Sequence, residues 1–191
     1  MQFQIENFKV EPLEKGNFIK PFFAKFLLNG KEKKWEVIEV KDSVAILIYH
    51  TQKDAFILVK QFRAPVYFNS GKSGVTIELC AGLIDKENLS VKEIACEEIL
   101  EETGYKVNPS NLEYITHFYN SVGFAGAKQY LFYAEVDESQ KEEDGGGIEG
   151  EELIEVITLP RKRAKEFLFD ENIAKTPGLM FAIYWHMIEK Q

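Results

Sequence analysis

The sequence EEILEETGY, residues 97–105, places four carboxylates at the end of a helix that the pattern predicts over residues 91–103. At about 100° per residue, Glu98 and Glu102 fall on the apolar stripe of this helix, and Glu101 lies at its edge. Carboxylates on an apolar stripe need a partner that offsets their desolvation. A divalent cation is such a partner, and oxygen ligands one turn apart favour Mg²⁺. The alternative is a rotated helix whose acidic face is solvated.

Composition limits the class of protein. The chain has 191 residues, of which 45% are hydrophobic, and this length and composition favour one substantial core. A net charge of -8 argues against a nucleic-acid partner, which would require a basic surface. No apolar run is long enough for a membrane span, which argues against a membrane partner. The two cysteines give no disulfide framework and no signal peptide is evident, so we expect a soluble, cytoplasmic protein.

The order of the predicted elements indicates an α/β fold. Residues 1–40 alternate aromatic segments with turn signals such as Asn29-Gly30, which predicts a small hairpin or meander. β-rich runs and two further helical patterns follow. The predicted strands are 44–49, 55–59, 75–79, 112–118, 129–136 and 153–159, and the later helices are 161–168 and 177–189. Strands and helices mixed in this order predict helices packed on a mixed sheet.

A charged, glycine-rich loop interrupts this pattern at residues 137–152, DESQKEEDGGGIEGEE. It has few apolar anchors and much backbone freedom. An exposed connecting loop is the ordinary interpretation. The alternative is an acidic lid that brings Glu149, Glu151 or Glu152 to a metal site.

Three motifs together resemble the Nudix hydrolases, in particular the sugar-nucleotide branch that includes UDP-sugar and ADP-ribose pyrophosphatases. The motifs are GLID at residues 82–85, EILEETGY at 98–105 and QFRAP at 61–65. Flanking segments extend the resemblance over nearly the whole chain, with SGVTIELCAGL at 73–83 and KTPG at 175–178 similar to the UDP-sugar type.

The resemblance implies a fold, an activity and an assembly. We expect a Nudix fold, a mixed β-sheet sandwiched between α-helices, over residues 41–191, preceded by an N-terminal β extension at residues 1–40 that forms a dimer element. The expected reaction is hydrolysis of the pyrophosphate bond of a nucleotide sugar, UDP-glucose first and ADP-ribose second, to a nucleoside monophosphate and a sugar 1-phosphate. The expected cofactor is Mg²⁺, with Mn²⁺ as an alternative, and the expected assembly is a homodimer.

The same resemblance assigns the metal site and the catalytic base. The metal ligands would be Glu98, Glu101, Glu102 and the carbonyl of Ala81, with Glu101 also taking part in catalysis. Glu152, just before the predicted strand at 153–159, would be the base that activates water. Glu149 and Glu151 remain alternatives to Glu152, as does a surface role.

Substrate contacts are assigned in the same way. Gly82 and Leu83 would contact the substrate, and Arg63 would hold a phosphate with its planar guanidinium. A surface ion pair is the alternative for Arg63.

The chain departs from the usual Nudix motif in three respects. Gly82 and Gly104 are 22 positions apart, one more than usual, and Asn88 stands where the motif has a glutamate. Glu97 replaces the arginine before the first helical glutamate, so four clustered carboxylates repel one another unless a cation intervenes. Lys92 and Lys106 are candidate counter-charges.

The replacement of the motif arginine by Glu97 also motivates a rival function, a non-catalytic Nudix-like module that binds sugar nucleotides. A third possibility is a Nudix enzyme that acts on nucleoside triphosphates or cofactors.

Overall fold

The computed structural model describes residues 3–147 and 153–190. Within these residues the strands are β1 (Lys20–Leu28), β2 (Lys31–Glu39), β3 (Ser43–His50), β4 (Ala55–Phe62), β5 (Val75–Glu78), β6 (Cys80–Leu83), β7 (Glu113–Asn120), β8 (Ala127–Val136), β9 (Ile154–Pro160) and β10 (Ala174–Lys175). The α-helices are α1 (Ala64–Ser70), α2 (Val91–Glu98), α3 (Ala164–Phe169) and α4 (Pro177–Glu189). A π-helical turn, Ile99–Thr103, continues α2, and 3₁₀ turns occupy Pro109–Asn111, Glu138–Gln140 and Arg161–Arg163.

The N-terminal strands form a hairpin of their own. β1 pairs with β2 in an antiparallel two-stranded sheet separate from the main one. Asn29 and Gly30 join the strands with φ angles of 52° and 77°. Positive φ at both central residues is the geometry of a tight hairpin turn, which Asn-Gly favours. The predicted hairpin is therefore confirmed.

The main sheet is mixed, as predicted. Its strand order is β10-β5-β4-β3-β8-β7, with β6 also paired to β3 and β9 also paired to β4. β3 runs parallel to β8 and antiparallel to β4 and β6. The pairing of β6 with β3 holds the motif turn at residues 81–83 against the centre of the sheet.

Helices cover both faces of this sheet. Alternate residues of a strand point to opposite sides, so neighbouring residues of β3 pack against different helices. Ile46 of β3 belongs to a buried cluster with Ile94 of α2. Its neighbour Leu47 belongs to a second buried cluster with Leu179 and Ile183 of α4. All five side chains are fully buried. The expected Nudix arrangement, a mixed sheet between helices, is confirmed.

Short elements escaped prediction, whereas long periodic ones did not. The predicted helix at 177–189 matches α4, and the predicted helix at 161–168 is a 3₁₀ turn followed by α3. α1 has seven residues and β10 has two, too few for a periodic pattern to identify. No helix among residues 3–147 and 153–190 has the length and hydropathy of a membrane span.

Candidate active site

The start of α2 is fixed by a capping box. The Ser90 hydroxyl accepts a hydrogen bond from the Glu93 backbone N–H, and the Glu93 carboxylate accepts one from the Ser90 N–H at 2.7 Å. At the other end Gly104 adopts a φ of 74° and donates its N–H to the Leu100 carbonyl at 2.8 Å. A capped start and a glycine stop set the rotation of the helix and its π-helical turn.

Glu98 and Glu102 lie against the same backbone turn, residues 81–82 of β6. Glu102 is 3% exposed, and its carboxylate accepts a hydrogen bond from the Ala81 N–H at 2.9 Å. A Cβ added to Gly82 would lie 1.9 Å from Oε1 of Glu98, so a glycine is required where that carboxylate approaches the backbone. The prediction that both glutamates lie on the inward stripe is confirmed.

Glu101 and Glu97 lie on the outer side of this cluster, beside a lysine. Nζ of Lys86 lies 2.5 Å from Oε2 of Glu97 and 3.9 Å from Oε1 of Glu101. The hydrogen bond to Glu97 is the main cause that raises the pKa of the Lys86 ammonium. The three side chains are 38–44% exposed, so solvent screens the pairs partly.

The cations proposed from the sequence as counter-charges for Glu97 lie elsewhere. Lys92 donates to the Leu112 carbonyl at 2.7 Å, and Lys106 pairs with Glu142 at 3.0 Å. The suggestion that either lysine compensates Glu97 was wrong, because each has a different partner and Glu97 pairs with Lys86.

The donor set fits a hard divalent cation in its chemistry, since it offers carboxylate oxygens and a backbone carbonyl around one turn. No three His, Cys, Asp or Glu side chains converge as a ready metal cage within residues 3–147 and 153–190. Glu98 approaches Gly82, Glu101 lies 3.9 Å from the Lys86 ammonium, and Glu102 accepts the Ala81 N–H. Such a site would be completed by water and by substrate phosphate, as is usual for Mg²⁺.

The glycine run at 145–147 packs on the end of the same helix. Gly146 donates its N–H to the Glu102 carbonyl at 2.9 Å, and Gly147 donates to the Glu101 carbonyl at 3.0 Å. Gly145 has a φ of 74°, and a Cβ there would lie 2.6 Å from the Glu102 carbonyl oxygen. These glycines therefore satisfy helix-end carbonyls at close range, a role that the sequence interpretation as a flexible lid did not include.

The candidate bases Glu149, Glu151 and Glu152 lie outside the described residues, and their assignment stays a prediction. The described residues on either side are close together, because the Ile154 N–H donates to the Gly146 carbonyl at 3.3 Å. Gly146 and Ile154, which flank this part of the sequence, therefore both lie near the carbonyl of Glu102.

Arg63 makes a two-pronged ion pair with Glu78. Its Nε and Nη2 donate to the two carboxylate oxygens, each at 2.8 Å. Thr76 adds a hydroxyl hydrogen bond to the same carboxylate at 2.5 Å. Burial would raise the pKa of Glu78, but the hydrogen bonds and charge of Arg63, with the Thr76 hydroxyl, hold that pKa below its ordinary value. Arg63 is thus held at the end of β4, and its contact with phosphate stays a prediction.

A cleft of about 400 Å³ reaches the turn at Ala81, although Glu98, Glu101 and Glu102 are not among its lining residues. It is lined by Ala45, Glu78, Leu79, Ala81, Asn120, Ser121, Gln129, Thr176, Pro177 and Gly178. A second cleft of about 540 Å³ shares Asn120, Ser121, Pro177 and Gly178 with it and extends to His117, Tyr119 and Phe181. The first cleft therefore connects the Ala81 turn with the N-terminus of α4, and the second widens it with aromatic side chains.

Comparison with known proteins identifies the family of this chain. The family model described as the NUDIX domain matches residues 40–176. The chain belongs to the Nudix family. It is 36% identical to the uridine diphosphate glucose pyrophosphatase NUDT14 of Bos taurus, over 95% of this chain and 94% of that protein. It is 35% identical to the Mus musculus protein of the same name, over 88% and 87%. It is also 41% identical to the GDP-mannose pyrophosphatase of Pectobacterium atrosepticum, over 76% and 72%.

Family membership makes this chain a Nudix hydrolase, and the predicted resemblance to the sugar-nucleotide branch is confirmed. Glu98, Glu101 and Glu102 occupy the helical positions of the Nudix motif, and Gly82 and Leu83 occupy the turn before it. Leu83 is 40% exposed at the end of β6. The substrate contacts of Gly82 and Leu83 and the metal contacts of the glutamates remain predictions.

Sequence reasoning missed several residues around the Nudix motif. Lys86 carries no signal of its own, because a single lysine in a loop is usually solvated. Gln129 and Asn120 reach the cleft from separate strands, which a linear pattern cannot reveal. The segment at 175–178 was singled out only by resemblance, and the structure places Thr176 there as the N-cap of α4, its hydroxyl accepting the Leu179 N–H at 3.3 Å.

Neither cysteine is suited to be a nucleophile. Burial raises the pKa of the Cys80 thiol well above its usual range, with Glu102 adding to the effect. Burial also raises the pKa of Cys96 to about 11. Raised pKa values favour the protonated thiol at neutral pH, which argues against either cysteine as a nucleophile.

Proposed function

We propose that this Nudix protein hydrolyses the pyrophosphate bond of a nucleoside diphosphate sugar in a Mg²⁺-dependent reaction, giving a nucleoside monophosphate and a sugar 1-phosphate. The observation that carries the proposal is the pair Glu98 and Glu102, held on the turn at residues 81–82, whose Ala81 also lines an open cleft. The names of relatives that align over most of the chain support the same substrate class.

In this proposal Glu98, Glu101, Glu102 and the Ala81 carbonyl hold the cation. A bound divalent cation would polarise the pyrophosphate oxygens and supply an activated water. Mn²⁺ is the alternative metal, since it also accepts oxygen ligands. The buried Glu102 fixes the turn that carries the Ala81 carbonyl, because it accepts the N–H of the same residue.

The chain's own residues also supply positive groups for the substrate phosphates. Arg63 keeps its guanidinium plane fixed through Glu78, which presents it in one orientation. The N-terminus of α4 at Thr176–Gly178 borders the same cleft, and helix N-termini favour anions. Gly82 and Leu83 contact the substrate in this proposal, and Glu152 serves as the base, with Glu149 and Glu151 as alternatives.

UDP-glucose is the first candidate substrate. ADP-ribose is the second candidate from the sequence, and GDP-mannose enters because relatives of that name align over 70% or more of the chain. The test is to incubate the purified protein with each compound and with Mg²⁺ or Mn²⁺, and to identify products by mass. Release of a monophosphate and a sugar 1-phosphate is expected. Binding without release of any monophosphate would favour the non-catalytic module instead.

We further propose that residues 1–40 form the dimer element and residues 41–191 the hydrolase domain. The hairpin β1–β2 supports this, because paired residues of an antiparallel sheet share a face. One face carries Phe22, Phe26, Leu28, Trp35 and Val37, of which the first four are 41–55% exposed, together with Lys31 and Lys33 opposite Leu28 and Phe26. Exposed apolar side chains rimmed by charged ones on a separate two-stranded sheet are typical of a protein interface.

The cellular setting belongs to the same proposal. A net charge of -8 argues against a nucleic-acid partner, which would require a basic surface. A small phosphorylated substrate is compatible with this charge if a metal ion holds its phosphates. Cys80 and Cys96 are free thiols, which is consistent with a reducing compartment such as the cytoplasm. No membrane partner is proposed.

A further inference from the structure

Lys86 lies between Glu97 and Glu101, of which only Glu101 is a proposed metal ligand. It belongs to the loop between β6 and α2, and its ammonium contacts Glu97 at 2.5 Å and approaches Glu101 to 3.9 Å. Glu97 immediately precedes Glu98 in the helix. The pair therefore borders the metal face without belonging to the inward stripe of Glu98 and Glu102.

The usual Nudix motif has an arginine on the helix where this chain has Glu97. Here Lys86 supplies a positive charge from the loop instead. The salt bridges among the described residues give Glu97 no other cation than Lys86. A positive charge is therefore retained beside the proposed metal ligands, although it comes from the loop and not from the helix.

We propose that Lys86 is a positioning residue that holds Glu97 away from the metal ligands and sets the affinity of the site for divalent cations. This inference rests on the proposed metal site. The proposal has two parts. Lys86 engages Glu97, which without the ammonium would be free to turn toward its neighbour Glu98 and the cation, and Glu97 in turn keeps the ammonium from approaching Glu101 more closely.

The two single substitutions therefore change metal affinity in opposite directions. Lys86→Met removes a positive charge and releases Glu97, so cations bind more tightly, while turnover falls because Glu97 occupies a coordination position. Glu97→Gln leaves the ammonium of Lys86 with Glu101 as its neighbour, so cations bind more weakly. For half-exposed charges at these distances we expect changes of about threefold to tenfold.

Combining the substitutions distinguishes this role from simple anchoring of the loop. The double variant Lys86→Met/Glu97→Gln removes both charges, and it should return the metal affinity and kcat close to those of the parent protein. The exchanged variant Lys86→Glu/Glu97→Lys restores an ion pair and should do the same. If Lys86 only anchored the loop, the effect of the double variant would equal that of Lys86→Met or exceed it.

The experiment measures Mn²⁺ binding to the whole, substrate-free protein by titration calorimetry and by loss of the free-ion electron paramagnetic resonance signal. Melting temperatures of the metal-free variants verify folding. Lys106→Met is the matched control, because it removes a lysine from another exposed ion pair, with Glu142, and should leave affinity unchanged. Turnover of the nucleotide sugar gives the accompanying kcat and KM.

The outcomes separate this inference from the proposed function. A parent protein that binds no Mn²⁺ would overturn the metal assignment itself. A parent protein that binds Mn²⁺, with single variants that do not differ from it or that shift in the same direction, would overturn the role of Lys86 alone. Opposite shifts that cancel in the double variant support the proposal.

Discussion

The carboxylate of Glu102 accepts the backbone N–H of Ala81 at 2.9 Å, so the last glutamate of the motif holds the turn that precedes the motif helix. The two residues are 21 positions apart in sequence. One side chain thus joins the helix to the sheet, and the same side chain is a proposed ligand of the cation. Burial of a carboxylate that is 3% exposed is costly without such a hydrogen-bond donor.

Substitution of the inward pair should separate catalysis from folding. Glu102→Gln keeps an oxygen that can accept the Ala81 N–H but removes the negative charge, and Glu98→Gln removes the charge beside Gly82. We expect each to lower kcat by about 100-fold or more because the cation loses a charged ligand. Product release and melting temperature are the measurements. Glu142→Gln, at an exposed ion pair, is the control, and full activity in both glutamine variants would refute the metal assignment.

Gly82 should not tolerate a side chain. In Gly82→Ala the new Cβ would meet Oε1 of Glu98 at 1.9 Å, so that carboxylate must move. A displacement of about 1 Å at a reacting group can cost about 100-fold in rate. We expect a loss of kcat with little loss of thermal stability, since the Glu98 side chain can rotate away. Gly123→Ala, where no atom lies within 4 Å of the added Cβ, is the control and should retain activity. An active Gly82→Ala enzyme would show that the position of Glu98 is not critical.

Arg63 has a structural partner and a predicted ligand, and kinetics can distinguish them. Arg63→Lys keeps the charge but loses the two-pronged contact with Glu78, and a lysine cannot present a planar fork to phosphate. If Arg63 binds substrate, KM should rise about tenfold, the loss expected for one charge-assisted hydrogen bond. Arg163→Lys, in an exposed pair with Glu166, is the control. A lower melting temperature with unchanged KM would show that Arg63 stabilises the fold, through contacts such as that with Glu78, and does not bind substrate.

His186 should make stability depend on pH. It is 1% exposed among the rings of Tyr49, Phe56 and Tyr133, and within the described residues neither ring nitrogen has a hydrogen-bond partner. Burial lowers its pKa from 6.5 to about 4. Between these values the unfolded chain binds more protons than the folded one, so stability should fall as pH falls from about 6.5 toward 4, by roughly 1–3 kcal/mol.

His186→Leu tests the assignment, because leucine fills a similar volume without a titratable group. Urea denaturation at pH 7 and pH 5 gives the free energy of unfolding of both proteins. The parent protein should lose more stability between these pH values than His186→Leu. An identical pH dependence of the two proteins would assign the acid sensitivity to other groups. His117→Leu, at an exposed histidine on β7, serves as the control and should behave like the parent protein.

Features that depend on local side-chain periodicity could be predicted from the sequence, whereas contacts that depend on tertiary structure could not. α4 and the inward stripe with Glu98 and Glu102 were predicted because side-chain periodicity is a local property of the chain. The ion pair between Glu97 and Lys86 was not predicted, because Lys86 lies in a loop whose path depends on the packing of β6. The glycine run at 145–147 was recognised as special, but its contacts with the carbonyls of Glu101 and Glu102 depend on tertiary structure.

The hairpin face provides a test of the proposed dimer. Phe22 and Phe26 lie on the apolar face of β1, whereas Phe23 and Leu27 lie on the opposite face, where Lys34 covers the Phe23 ring at 3.5 Å. Phe22→Lys/Phe26→Lys should convert a dimer to a monomer, because buried charges without partners are costly at an interface. Phe23→Lys/Leu27→Lys introduces the same charges on the other face and should leave the dimer intact. Sedimentation velocity over a range of concentrations gives the oligomeric state. A monomeric parent protein, or equal effects of the two double variants, would exclude this face as the interface.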